Sequence, residues 1–397
     1  MKRYQIMIFI MIGMILNCNA HRTVLLYMDS TPDLSDMAIK ALSELMEEKS
    51  NSKVDFFVQL HSYGNKAFRY KVTNEGLAFV SSVELSGDAQ EDLINAAKWA
   101  YRAENIDETM LFFSNHGYGP LDPDYNETIQ GWDLKLSNDM IKSNPKRGFM
   151  FNSVAKSYLT YHDMSQSLAA IKKLVLNDKK IDIIGFDTCM GGCIEIAYQL
   201  KDYGHYLIGA QVCSKKDGFD YKALMHDLKK IKSKKDFVYD AINSLESYYK
   251  LNDDNGMYAY TALDLSKVEK VVKKFEKLNT HILQNPLKGE RISQAGSDVF
   301  RPCMFTMYID FIHYLESLEH VLCAYGECEK HMKKFAQLKK AINEMVVHKC
   351  AGFKSSPFVH GCALYFPADN IHHSYLKVEF AQKTKWISLL ESSLFTK

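Results

Sequence analysis

Two residues of this chain have side chains suited to nucleophilic catalysis and stand in equivalent local settings. His116 follows Met110-Leu111-Phe112-Phe113-Ser114-Asn115, and Cys189 follows Ile181-Asp182-Ile183-Ile184-Gly185-Phe186-Asp187-Thr188. Each lies just past a short apolar run that reads as a buried strand. Gly191-Gly192 break the second run, and Cys193 to Leu200 then spaces Ile194, Ala197 and Leu200 as the apolar stripe of an amphipathic helix that closes near Gly204. Cys189 is therefore expected on a strand-to-helix turn. A thiol there meets the positive end of a helix dipole and free backbone N–H groups, which favours the thiolate, the nucleophilic form. Gly117 lets the backbone approach a substrate closely, and its N–H together with that of Cys189 would form an oxyanion hole.

The elements that must position this pair follow from the apolar pattern. Val24 to Met28 reads as a first strand, leading through Asp29-Ser30-Thr31-Pro32-Asp33 into a helix from about Leu34 to Glu48. A second strand, Val54 to Leu60, is followed by a hairpin between Phe68 and Val80. Ser86-Gly87-Asp88 then caps a helix through Leu93, Ala96, Ala97 and Ala100. Strands alternating with helices at this spacing imply an α/β fold with a mostly parallel sheet flanked by helices, where functional residues gather at the carboxyl ends of strands. After about Ala223 the pattern turns helical, near residues 237–251, 266–283, 305–322 and 330–347. A late strand, residues 361–367, ends at Pro367 and would rejoin the sheet. The expected organisation is a catalytic domain over residues 21–222 and a mainly helical accessory region over residues 223–397.

Lys2 and Arg3, the apolar run from Ile6 to Leu16 and the small exit Cys18-Asn19-Ala20 have the make-up of a secretory signal peptide, residues 1–20, too short for a membrane span. No other stretch approaches the 18 or so uninterrupted apolar residues that a transmembrane helix needs. A secreted protein is expected, with 47% hydrophobic residues among 397 to build a large core. The formal net charge of +1 builds in no attraction to phosphate, which argues against a nucleic-acid partner. The secretory route permits disulfides, and Cys303, Cys323, Cys328, Cys350 and Cys362 are close enough in sequence for one or two. Cys189 and Cys193 lack a second ligand pair, so no metal site is expected, and no Gly-rich phosphate loop points to ATP.

The order of these pieces resembles the clostripain family of cysteine peptidases, in the broad group of caspases, legumain and gingipains, which place histidine upstream of cysteine as this chain does. The resemblance spans nearly the whole chain after residue 20. It rests on Val24-Leu25-Leu26-Tyr27-Met28 with Asp33-Leu34, Gly87-Asp88 with Lys98-Trp99-Ala100, His116-Gly117 and Leu159 to Leu168. It continues through Ile184 to Met190, Asp217-Gly218-Phe219-Asp220-Tyr221 and His360-Gly361-Cys362-Ala363-Leu364-Tyr365-Phe366-Pro367. It implies a caspase-like fold, Cys189 as nucleophile and His116 as base and proton shuttle. It also implies cleavage after arginine or lysine, with Asp187 in the pocket for the basic side chain, Asp217 the best second acid, and Thr188 a further substrate-binding residue. Three positions depart from the family's pattern: Asn115 and Thr188 stand where it usually has Asp and Ala, and Ala210-Gln211-Val212-Cys213 replaces a more acidic pocket wall.

The resemblance further implies an inactive precursor cut in the polar stretch Pro120 to Tyr158, where Lys146, Arg147 and Lys156 are candidate self-cleavage sites. No cofactor is required. Calcium, an activator of some family members, would have to bind scattered carboxylates, because no EF-hand loop is present. The leading expectation is a monomeric secreted endopeptidase acting on protein or peptide substrates. The alternatives are a transpeptidase or ligase on the same scaffold, in which an amine resolves the acyl enzyme, and a non-catalytic peptide-binding relative.

Overall fold

The computed structural model describes residues 20–30, 34–62, 65–102, 106–122, 124–126, 131–133, 149–152, 157–215, 217–230, 233–253, 255–284, 289–299, 301, 307–327, 329–368 and 370–394. The chain opens with β1 (Arg22–Asp29), α1 (Ser35–Met46), β2 (Val54–His61), the hairpin β3 (Lys66–Thr73) and β4 (Gly76–Glu84), α2 (Ala89–Ala100) and β5 (Glu108–Ser114). Two short hairpins follow, β6 (Asp124–Asn126) with β7 (Gly131–Asp133) and β8 (Phe149–Asn152) with β9 (Ser157–Leu159). Next come α3 (Tyr161–Leu174), β10 (Ile181–Asp187), α4 (Ile194–Leu200), β11 (Gly204–Ala210), α5 (Tyr221–Lys229), α6 (Lys234–Asn252) and β12 (Ala259–Asp264). The last part comprises α7 (Val268–Gln284), α8 (Gly289–Ser297), β13 (Tyr308–Asp310), α9 (Phe311–Ala324), α10 (Glu329–Met345), β14 (Val346–Ala351), β15 (Ala363–Tyr365), α11 (Glu379–Lys383) and α12 (Trp386–Leu394).

Nine strands form one sheet in the order β14-β12-β11-β10-β5-β1-β2-β3-β4. Its middle, from β11 to β2, is parallel, and antiparallel pairs extend both edges. Side-chain alternation along the buried strands feeds two cores. Leu25, Leu111, Phe113 and Ile184 face one layer with Leu93 of α2 and Leu168 of α3. Val24, Leu26, Met110, Phe112 and Ile183 face the other, with Ala38 of α1, Leu224 of α5 and Ile242 of α6. Helix starts follow side-chain caps: Asp88 accepts from the N–H groups of Gln90 and Glu91, and Thr160 with Asp163 makes a reciprocal capping box.

The α/β class and mostly parallel central sheet agree with the sequence reading, but the region after residue 222 does more than stand beside the sheet. Its strands β12 and β14 complete one edge. The late strand, expected to rejoin the sheet, instead pairs antiparallel with β13 as a separate ribbon. Cys350 and Cys362 are free thiols, whereas Cys213 is disulfide-bonded.

Gly185 tests the fit between the two strands that carry the candidate pair. It is the register partner of Phe112, and a Cβ there would come within 2.1 Å of the Phe112 ring. Gly185→Ala is expected to destabilise the fold by about 1–3 kcal/mol through overpacking, read as a lower thermal midpoint. An unchanged midpoint would show that the two strands tolerate a wider spacing.

Candidate active site

The two parallel strands β5 and β10 are neighbours, and their last paired residues are Ser114 and Asp187. His116 and Cys189 each lie two positions beyond that pair, so both leave the sheet at one level and on adjacent strands. The loops then touch: a Cβ at Gly117 would stand 2.5 Å from the Cys189 carbonyl oxygen and 2.6 Å from Thr188 Oγ1. Only glycine permits that approach. Asn115 is buried and shapes the histidine loop, donating from Nδ2 to the Asp29 carbonyl (2.8 Å) and accepting the His116 N–H at Oδ1 (2.6 Å). Both bonds suit an amide, since a carboxylate in its place could not donate to the Asp29 carbonyl.

After Cys189 the chain turns through Met190, at φ +58°, whose N–H is spent on the Val212 carbonyl (3.0 Å). No hydrogen bond engages the N–H of Gly117 or Cys189 among the described residues. Those two donors are the ones expected for an oxyanion hole, and they remain open. The C-terminal ribbon holds both loops: Tyr308 donates its hydroxyl to the Tyr118 carbonyl (2.5 Å), and the Ala363 N–H bonds the Gly192 carbonyl (3.1 Å). Behind them Glu195 is fully buried and accepts at Oε1 from the Tyr365 N–H and the Tyr375 hydroxyl, each at 2.9 Å. Burial pushes its carboxyl up to about 7 against those bonds.

The expected thiolate is not the resting state. α4 starts at Ile194 with Cys193 as its N-cap, so Cys193 rather than Cys189 occupies the helix terminus. Burial pushes the Cys189 thiol up to about 11, opposed by the Ser214 N–H. Burial in this setting favours the neutral thiol over the thiolate.

Asp187 is 1% exposed, and burial lifts its carboxyl to about 6. Oδ2 accepts from the Phe219 N–H (3.0 Å) and the Tyr221 hydroxyl (2.9 Å), while Oδ1 is buried with no hydrogen-bond partner. Gly218, at φ +64°, crosses its carboxylate, and the Asp217 carboxylate beside it has no partner among the described residues. Asp217 is thus the chain neighbour of the residue that packs on Asp187. Thr188 lines the cleft with Gly117, Cys189 and Met190; its side chain packs on Gly117 and donates to the Cys189 carbonyl (3.3 Å). Lys146, Arg147 and Lys156 lie outside the described residues. Sequence reasoning gave no role to Ser214, Tyr221, Tyr308 or Glu195. Tyr221 falls within a quoted family segment, but its bond to a residue 34 positions away carries no local signal.

The model of the clostripain family matches residues 26–393. The chain belongs to the clostripain family of cysteine peptidases. Family members of known structure share the fold. A secreted C11 cysteine protease from Bacteroides thetaiotaomicron, solved with an irreversible peptide inhibitor, superposes with a TM-score of 0.67 at 16% identity, covering 93% of this chain and 100% of that one. An inactive zymogen of a C11 protease from Parabacteroides distasonis gives 0.63 at 16% identity over 92% and 98% of the two chains. No curated protein matches the chain by sequence. As a clostripain-family cysteine peptidase the protein hydrolyses peptide bonds, and among its described residues no helix is long and apolar enough to cross a membrane.

The neutral resting thiol has a measurable consequence. Alkylation of Cys189 by iodoacetamide in the substrate-free enzyme is expected to be slow at pH 7 and to rise steadily up to at least pH 10, followed by mass mapping of the Cys189 peptide. A rate that is already at its plateau at pH 7 would contradict the burial argument.

Proposed function

We propose that the protein is a secreted endopeptidase that uses His116 and Cys189 as a catalytic dyad and cleaves after basic residues. His116 takes the thiol proton as Cys189 Sγ attacks the scissile carbonyl carbon. The tetrahedral oxyanion accepts from the N–H groups of Gly117 and Cys189, and the imidazolium then protonates the leaving amine. Water, deprotonated by the same histidine, hydrolyses the thioester and releases the acid product. The register of β5 and β10, which sets the two loops side by side, is the observation that carries this reading. The neutral thiol fits it, since a base must then act in the attack itself.

Basic specificity rests on two acids with unused acceptor capacity: buried Asp187 with a free Oδ1, and Asp217. A cation entering this pocket would restore the charge partner that burial denies Asp187. Asp187→Asn is expected to lower kcat/KM on lysine and arginine peptides by roughly 100-fold or more, with little effect on peptides bearing a neutral side chain there. Asp187 must be ionised to hold a cation and titrates at about 6, so wild-type kcat/KM on basic peptides should fall as pH drops below about 6. Equal loss on basic and neutral peptides in Asp187→Asn would remove Asp187 from the pocket.

Self-processing belongs to the same proposal, with Lys146, Arg147 and Lys156 as its sites. Intact mass after incubation should show a cut at one of them in the wild type and none in Cys189→Ala. Full activity in uncut wild-type protein would remove this part of the proposal.

A further inference from the structure

The carboxylate of Asp187 is held asymmetrically. Its Oδ2 is engaged twice, by the Phe219 N–H and the Tyr221 hydroxyl, while Oδ1 is buried with no hydrogen-bond partner. The segment that occupies Oδ2 is itself anchored to α1. Tyr221 N–H bonds Glu44 Oε2 (2.9 Å), Glu44 pairs with Lys40 (2.6 Å), and Lys40 Nζ donates to the Phe219 carbonyl (3.2 Å). Gly218 closes the remaining side, since a Cβ there would be 2.6 Å from Oδ2 and 3.1 Å from Oδ1. Asp187 is therefore a fixed acceptor with one oxygen to offer.

The two basic side chains use such an acceptor differently. A guanidinium gains most from a carboxylate when two parallel N–H groups meet both oxygens. An ammonium is a compact charge with three donors that is satisfied by single oxygens from separate acceptors. Asp187 Oδ1, buried without a hydrogen-bond partner, is one such single oxygen.

We propose that the Tyr221 hydroxyl, by occupying Asp187 Oδ2, acts as a positioning residue that turns the pocket toward lysine and away from arginine. Tyr221 does not touch the substrate. It decides how many oxygens Asp187 presents. The inference rests on the reading that Asp187 receives the basic side chain, and it adds which basic side chain is preferred and what sets the preference.

The experiment compares three peptides that differ only in lysine, arginine or glutamine at the scissile residue, with kcat and KM measured separately for the wild type and Tyr221→Phe. Loss of one hydroxyl in a packed ring keeps the fold, which the thermal midpoint verifies. The wild type is expected to favour lysine over arginine by about tenfold in kcat/KM, the scale of one hydrogen bond to a charged group. In Tyr221→Phe the ratio should fall to near one through a lower KM for arginine, with glutamine poor throughout. A wild type that prefers arginine, or a ratio unchanged by Tyr221→Phe, overturns the inference and leaves basic specificity standing. A loss of equal size on all three peptides assigns Tyr221 a structural role only and also overturns it. Glutamine cleaved as well as lysine overturns the basic-residue reading beneath it.

Discussion

The site depends on one register: Ser114 opposite Asp187 on the neighbouring parallel strands β5 and β10. Parallel pairing fixes the level at which the two chains leave the sheet, and a slip of one residue would turn each loop's side chains to the other face. With the pairing as it stands, His116 and Cys189 emerge side by side at the carboxyl edge, where α/β sheets collect their functional residues. The fit is held from within the sheet. Phe112 lies over Gly185, so a larger residue at either position would force apart the strands that hold the pair.

The chain after residue 222 secures what that register places. β12 and β14 close the sheet edge next to β11, and the β13–β15 ribbon hydrogen-bonds to the loops after His116 and Cys189 through Tyr308 and Ala363. Inside the core Glu195 of α4 accepts one hydrogen bond from the ribbon, the Tyr365 N–H, and one from the Tyr375 hydroxyl of the segment that follows it. Each neutral bond contributes only about 1 kcal/mol, but a buried donor or acceptor left without its partner costs more. The region after residue 222 and the sheet form one hydrogen-bonded body.

Legibility in the sequence followed the range of the signal. His116 and Cys189 stand out because an apolar run stopping at a polar residue is a local pattern, and two such endings in one chain point to one sheet edge. Asp187 and Asp217 came from the family resemblance; in the structure Gly218, next to Asp217 in the chain, packs on the Asp187 carboxylate. β11 hid behind the glycine that seemed only to end a helix, and β12 and β14 are short segments whose apolar alternation is weak against the helices around them. The thiol's resting state was misread because a turn before a helix was equated with the helix terminus, which Cys193 takes.

The central claim is that Cys189 is the nucleophile of a pocket that receives a basic side chain, and covalent capture tests it most directly. A peptide acyloxymethyl ketone ending in lysine should label the enzyme on Cys189 alone, as mapped by mass, while the aspartate counterpart leaves it unmodified and Cys189→Ala takes up neither. Labelling at another residue, or equal labelling by the aspartate reagent, would contradict the account.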